Sequence, residues 1–500
     1  MNALDWFAAL EQLKNDIIFL FPLLFLCISL IAFIIVGVFY KQTPIFLYIA
    51  LVGGAGSSAA YGALLPALAD GAFPLFFNSL VLDAYSAIAG FMINIGFLAA
   101  LFFIQGQKEI PKNQELYLLL TGSLIGLQLM LMANQWIVAF IGMELSAIAT
   151  YCLTIFPKWK KEPAESGVKY IIYGSVAAGI LLYGISLLFA FTGNLYFLRE
   201  YDTRLFAHNL PPIALLAAYS LIITGLSFKL GAFPFYFWVS DVYKGAPLPV
   251  AAYLATAVKM AAFVLAIRLV TTIPTVVFAS FQNLLALLAI ATLSIGNIGA
   301  LQQTNFKRLL AYSSIAHSGF LLIGLLSSTL AGALLFYLVA YLIMQWGAFY
   351  VCSLWAYQTG SENIQDWKGK APSHPWLTFF LVILFIGLIG LPPTAGFAAK
   401  FNLFLQAYAI YEKSSSWWAL SAILVALLGT ILSLYYYLKV PAMLLFSPPN
   451  LSKKIAKETE TFGFSQFWPL GLAVFVTLLL GTWGFDKMID FFQKNFVANL

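Results

Sequence analysis

Residues 226–238, LSFKLGAFPFYFW, put a lysine and a proline in the middle of a long apolar run. Proline has no N–H to donate and its ring clashes with the preceding turn, so a helix through this stretch must break beside Pro234. Residues 389–401, IGLPPTAGFAAKF, repeat the arrangement with Pro392, Pro393 and Lys400. A break at mid-membrane depth frees amides and carbonyls, which is tolerated only where protein buries them or a water-filled cavity meets them. A plain proline kink is the alternative for either helix taken alone.

Around these two stretches the composition is that of a chain dissolved in lipid. Of its 500 residues, 62% are hydrophobic and 9% charged, too few charges to coat soluble domains. Apolar runs of span length follow one another with short polar breaks. Fourteen spans are expected, beginning with 16–39, 45–66, 81–104, 115–132, 134–156, 168–192 and 213–240. The rest are 246–271, 276–301, 308–328, 330–357, 375–410, 417–440 and 467–490. The expected fold is an all-α polytopic membrane protein. The first sixteen residues carry acids and Lys14 ahead of a span-length stretch, which is not the pattern of a cleavable signal.

Loop cations set the orientation. Sixteen of the 26 lysines and arginines fall in breaks after odd-numbered spans, among them Lys244, Lys307, Arg308, Lys368 and Lys439. Seven, including Arg199, Arg204 and Arg268, fall on the other side, and three lie inside spans. The odd breaks are therefore expected in the cytoplasm of a bacterial inner membrane, with both termini periplasmic. Spans four to eight form a set of five whose fourth member is broken, and spans nine to thirteen form another. Five is odd, so the second set enters from the opposite face, giving two inverted five-helix repeats. Broken helices at matching positions of inverted halves place ion sites near the midplane. The expected units are an N-terminal three-helix segment (1–112), two repeats (113–272 and 273–441), and a cytoplasmic loop with the last span (442–500).

The buried charges fall within this frame. Lys229 precedes Pro234, Lys259 sits near the middle of span eight, and Lys400 follows the second break, while Glu144 is the acid deep in span five. Each such charge costs about 2.5–3.5 kcal/mol on insertion scales, an expense that calls for a role. Lysines within a turn of a span end, such as Lys439 and Lys413, can snorkel to the headgroups, but Lys259 is too deep. A structural Glu144–lysine pair is an alternative that leaves other lysines unpaired. Lysine suits proton carriage because burial brings its charged and neutral forms close in energy. His317, among Ser313, Ser314 and Ser318, is either a satisfied core histidine or a relay for the same protons.

Other chemistry finds little support. His208 and His374 fall in loops without companions at ligand spacing. Cys27, Cys152 and Cys352 stand singly in apolar spans and are expected as small core residues, with neither disulfide nor metal pairing. No glycine-rich nucleotide motif and no nucleophile–base pair is present. The formal net charge of +6 reflects loop lysines rather than a nucleic-acid surface. The 12 Trp, 25 Tyr and 46 Phe are ordinary for a membrane chain and do not by themselves argue for a quinone pocket.

The stretches QTNFKRLLAYSSIAHSGF (303–320), SFKLGAFPFYFWVSDVYKGAPLPV (227–250) and GLPPTAGFAAKFNLF (390–404) resemble the antiporter-like membrane subunits of type I NADH:quinone oxidoreductase, respiratory complex I. The resemblance runs over nearly the whole chain. Lysine at position 400, the wording PPTAGFAAKF and a C-terminus that stops after span fourteen are similar to the N-type branch. The resemblance implies a proton path through Glu144, Lys229, Lys259, His317 and Lys400. It implies proton pumping driven by quinone reduction in partner membrane-arm and peripheral-arm subunits. Those partners would hold NADH, FMN, iron–sulfur clusters and quinone, with no cofactor or metal in this chain. A multisubunit cation/proton antiporter subunit, or a scaffold that only braces a membrane arm, are the alternatives.

Overall fold

In lipid a backbone must satisfy its own polar groups, and this chain does so almost entirely with helices. The structure is a computed structural model, described for residues 16–40, 44–107, 110–156, 161–197, 211–414, 416–448 and 463–492. The termini, His208, and the cations Lys14, Lys41, Lys108, Lys158, Lys160, Arg199, Arg204, Lys453, Lys454, Lys457 and Lys494 lie outside the described residues.

The first helices are α1 (Phe21–Phe39), α2 (Ile45–Leu64), α3 (Ala84–Gln105), α4 (Gln114–Met132), α5 (Trp136–Thr154) and α6 (Lys161–Thr192). Next come α7 (Pro212–Leu230), α8 (Phe237–Gly245), α9 (Leu248–Tyr253), a π-helical turn (Leu254–Val258) and α10 (Lys259–Thr271). The remainder are α11 (Thr275–Leu301), α12 (Phe306–Ile323), α13 (Ala331–Thr359), α14 (Pro375–Ile389) and α15 (Ala395–Ser414). The last three are α16 (Trp417–Phe446), α17 (Phe464–Thr482) and α18 (Phe485–Phe492). Among the described residues, 11 helices are long and apolar enough to cross a membrane, and Pro375–Ile389 and Gln466–Thr482 are shorter apolar helices.

Both proline-bearing helices are broken rather than kinked, and by the same device. At the end of α7, Gly231 takes φ +64°, its N–H bonds Phe228 O and the Ala232 N–H bonds Ser227 O. At the end of α14, Gly390 takes φ +85°, and the Leu391 N–H bonds Ile386 O. These are left-handed glycine caps closed by a 6→1 bond, a conformation that costs a side-chain-bearing residue about 1–2 kcal/mol. Proline follows within three residues in each case, so neither helix resumes until Phe237 or Ala395.

Burial separates a core from a lipid-facing shell. Every residue in the apolar window of the α9–π turn–α10 span is buried, and α13 is buried almost throughout. A helix hydrophobic all round belongs inside, and these two form the axis on which the others pack. Helices α1, α2, α6 and α16 bury only a minor share of their windows. Cys352 is buried as expected, but Cys27 and Cys152 are exposed on outer faces. Lipid is as apolar as a helix core, so nothing drives a small thiol inward.

Three further differences from the expectation have local causes. Residues 73–82 form a hairpin, β1 (Phe73–Leu75) with β2 (Leu80–Leu82), turned by Phe76, Phe77 and Asn78 at positive φ. Span three therefore begins at Asp83, whose carboxylate accepts from Ser86 N and caps α3. The last span ends at Thr482 rather than 490, because the Trp483 and Gly484 N–H groups both turn back to Leu479 O.

Candidate functional site

The first broken helix delivers Lys229 to the interior. It lies in the last turn of α7, where the carbonyl end of the helix favours a cation, and is 5% exposed. Its Nζ has no hydrogen-bond partner among the described residues. Glu144 on α5 interacts with it electrostatically without a hydrogen bond. Glu144 is half-buried and borders an outward stripe of Ile141, Leu145 and Ile148.

Lys259 opens α10 directly after the π turn, a feature frequent at functional sites. Its ammonium donates to Ser314 O (2.8 Å), Ser314 Oγ (2.5 Å) and Ser318 Oγ (2.8 Å). Ser318 Oγ in turn donates to Leu230 O at 2.6 Å, one of the carbonyls that the α7 break frees. A Cβ on Gly231 would stand 3.6 Å from the Lys259 Nζ, so this lysine rests against the same break that carries Lys229. The Phe233 N–H, left without a helical acceptor, donates to Thr292 Oγ1 at 3.0 Å. Side chains thus take up polar groups that the break releases.

His317 lies on α12 with Ser314 and Ser318, and phenols hold both ring nitrogens. Nδ1 is 2.8 Å from Tyr337 Oη and Nε2 is 3.3 Å from Tyr437 Oη. Tyr437 Oη also pairs with Ser313 Oγ. Tyr341, whose ring centroid is 4.9 Å from that of His317, donates its hydroxyl to Ser314 Oγ at 2.9 Å and so lies between the imidazole and the Lys259 cradle. Which ring nitrogen carries the proton depends on the tautomer, so either phenol is donor or acceptor accordingly.

Lys400 closes the row. From α15 it reaches back to the end of α14 and donates to Ile389 O (2.8 Å) and Leu388 O (3.2 Å). Its ammonium stands 4.3 Å from the centroid of the Phe320 ring, which is 6.0 Å from the His317 ring. An aromatic face, not a hydrogen bond, therefore lies between His317 and Lys400. The structure thus buries Lys259, His317 and Lys400 near one another and places Lys229, with Glu144 beside it, at the helix break against which Lys259 rests. His374 sits at the edge of α14 beside Trp355, apart from the row. Among the described residues there is no group of three or more His, Cys, Asp or Glu placed to hold a metal ion.

The charged network that holds α8 was not visible from the sequence. Asp241 accepts from Lys169 of α6 (3.0 Å) and lies 3.5 Å from Arg308 of α12. Lys307, 6% exposed, pairs with Glu362 at 2.6 Å and donates to Ala246 O (3.1 Å) and Lys244 O (3.3 Å). The carbonyl end of α8 is thus capped by a cation from the helix that carries His317. At the opposite end of span eight, Arg268, counted as a loop cation, is buried against Asp83 with contacts of 2.7 and 2.8 Å.

Fold and site together define a polytopic helical membrane protein built around a buried row of lysines and one histidine at two helix breaks. Residues 133–433 match the family model described as NADH:quinone oxidoreductase/Mrp antiporter, TM. NADH-quinone oxidoreductase subunit N of Chlorobium chlorochromatii is 33% identical over 96% of this chain and 95% of its own. The chain belongs to the NADH:quinone oxidoreductase/Mrp antiporter family of membrane subunits, on the subunit N branch. A chain of respiratory complex I from Thermus thermophilus is similar in structure, with a TM-score of 0.76 and 27% identity, covering 93% of this chain and 98% of that one. A chain of the Mrp complex from Dietzia shares the fold at a TM-score of 0.82 and 20% identity, covering 96% and 97%.

Proposed function

We propose that this chain is a proton-translocating membrane-arm subunit of NADH:quinone oxidoreductase, worked by quinone reduction in partner subunits. The observation that carries this is the gathering of Lys229, Lys259, His317 and Lys400 in the buried interior at the two helix breaks, with Lys259 tied through Ser318 to the break that follows Lys229. Fourteen spans in two inverted five-helix repeats (113–272 and 273–441) follow from the matched breaks. The tight backbone packing of Gly126 on α5 and of Gly296 on α12 supports the repeats, since each involves the first helix pair of its set. The outer units are 1–112 and 442–500. The chain sits in a bacterial inner membrane with both termini periplasmic, and NADH, FMN, iron–sulfur clusters and quinone belong to partners.

In this mechanism Lys229, beside Glu144 and with its ammonium unbound, takes a proton from the cytoplasmic side. Lys259 holds its proton while three oxygens surround it, and the Ser318 hydroxyl reports the position of Leu230 O to that cradle. A shift of the α7 break therefore loosens Lys259. Lys259 and His317 relay the proton sideways through water between the serine and tyrosine hydroxyls, and Lys400 governs release beyond Phe320. The catalytic groups are Glu144, Lys229, Lys259, His317 and Lys400, and no redox centre is needed in the chain. The test is the purified complex carrying Lys229→Ala or Lys400→Ala, assayed for quinone reduction and proton pumping. Pumping per electron at the wild-type level in both variants would overturn the path. A subunit of a cation/proton antiporter is the second reading, favoured by the fold shared with the Dietzia Mrp chain. Copurification without flavin and iron–sulfur proteins would establish it instead.

A further inference from the structure

The cation-rich end of α16 carries a feature that the proton row does not use. A groove of about 520 Å³ opens there on the outer face of the helix, lined by Leu434, Tyr435, Leu438, Lys439, Met443 and Ser447. Its walls are apolar apart from Lys439 and the Ser447 and Tyr435 hydroxyls. The Lys439 ammonium has three donors and reaches the Gln303 carbonyl at 3.5 Å, the far limit of a hydrogen bond. The Gly369 N–H bonds Met443 O at 3.1 Å, so the segment Lys368-Gly369-Lys370 runs along the same wall.

The same face carries an exposed apolar ladder of Leu424, Leu428, Ile431, Tyr435 and Leu438, whose last two rungs line the groove. The steps are four, three, four and three residues, one helix face, and the ladder spans about 21 Å at the helical rise of 1.5 Å per residue. A cation at the level of the headgroups above a long greasy stripe matches one class of ligand in both chemistry and order. A lysine at the cytoplasmic membrane surface attracts acidic lipid headgroups. We infer that this groove binds an anionic phospholipid, with its phosphate on Lys439 and an acyl chain along the α16 ladder. The inference rests on the proposed orientation only for naming the cytoplasmic leaflet. An ammonium held by no more than a long contact to the Gln303 carbonyl among the described residues distinguishes the site from a merely apolar surface, which would take zwitterionic and acidic lipids alike.

The test uses the intact complex in vesicles doped with diazirine-bearing phosphatidylglycerol or, separately, the matching phosphatidylcholine. Cross-linked peptides covering 434–447 are quantified by mass spectrometry. The acidic probe is expected to label this segment severalfold more than the zwitterionic one. That excess is expected to vanish in Lys439→Gln and to persist in Lys439→Arg, with quinone reduction retained in both. Equal labelling by the two probes, or an excess that survives Lys439→Gln, would overturn the site. Absence of label from both probes would overturn it too, because a neighbouring subunit would then cover the face. None of these outcomes bears on the proton row, whose own variants are assayed by pumping.

Discussion

Replacing Ser318 by alanine tests the link between the first helix break and the central lysine. Ser318 is completely buried, and its hydroxyl both accepts from Lys259 at 2.8 Å and donates to Leu230 O at 2.6 Å. Alanine removes one atom and leaves almost no cavity, so the fold is expected to survive with little change in Tm. What is lost is electrostatic. A hydrogen bond to a charged group contributes about 1.5–3 kcal/mol, and the freed carbonyl loses its partner as well. Lys259 keeps Ser314 O and Ser314 Oγ, so the low end of that range is the appropriate figure. Charged Lys259, which the relay must pass through, is then about 1.5 kcal/mol less stable and about tenfold less populated, so the relay slows by a similar factor. The assay is NADH-driven acidification of vesicles containing the complex, alongside quinone reduction in the same preparation. Ser318→Thr keeps the hydroxyl and is expected to recover most of the rate. Wild-type pumping in Ser318→Ala, or a threonine variant as slow as the alanine one, would refute the coupling.

The remaining expectations are distributed along the row and its supports. Tyr337→Phe is expected to slow pumping more than Tyr437→Phe, because its contact with His317 is 2.8 Å against 3.3 Å; equal effects in vesicle assays would count against a directed imidazole. Gly390→Ala must adopt φ +85° with its Cβ 2.9 Å from Lys400 Cδ, so assembled complex on native gels is expected to fall, by more than the same change at exposed Gly62. Asp83→Asn leaves Arg268 buried beside a neutral partner, a change of about 3–5 kcal/mol when one member of a buried pair is removed. Thermal unfolding is expected to show that loss, and the double replacement Asp83→Asn with Arg268→Met to restore much of it.

Charge and proline were the legible parts of this sequence. A lysine in an apolar run announces itself by its cost, so Lys229, Lys259 and Lys400 needed no structure to be singled out, and Pro234 and Pro392 marked the breaks. His317 was legible through the serines beside it. Tyr337, Tyr341 and Tyr437 were not, because a tyrosine in a membrane helix looks like any other aromatic until its hydroxyl is seen against a ring nitrogen. A cation at a span end is ambiguous for a similar reason. Arg268 had the spacing of a loop residue, and only the α3 cap at Asp83 turns it into a buried pair. The π turn before Lys259 has no proline or glycine to signal it, since LATAV is an ordinary helical string.

That turn decides which way span eight points its lysine. One surplus residue in the backbone ladder rotates everything after it by about 100°, the angular step of an α-helix. On the near side Tyr253 Oη reaches Ser123 Oγ of α4 at 3.3 Å, whereas on the far side Lys259 faces Ser314 of α12. A single wholly buried rod therefore addresses both halves of the molecule with different faces. Deleting one residue between Leu254 and Val258 would remove the surplus and leave Lys259 on its serines, whereas an unbroken α-helix of the full segment would aim it about 100° away.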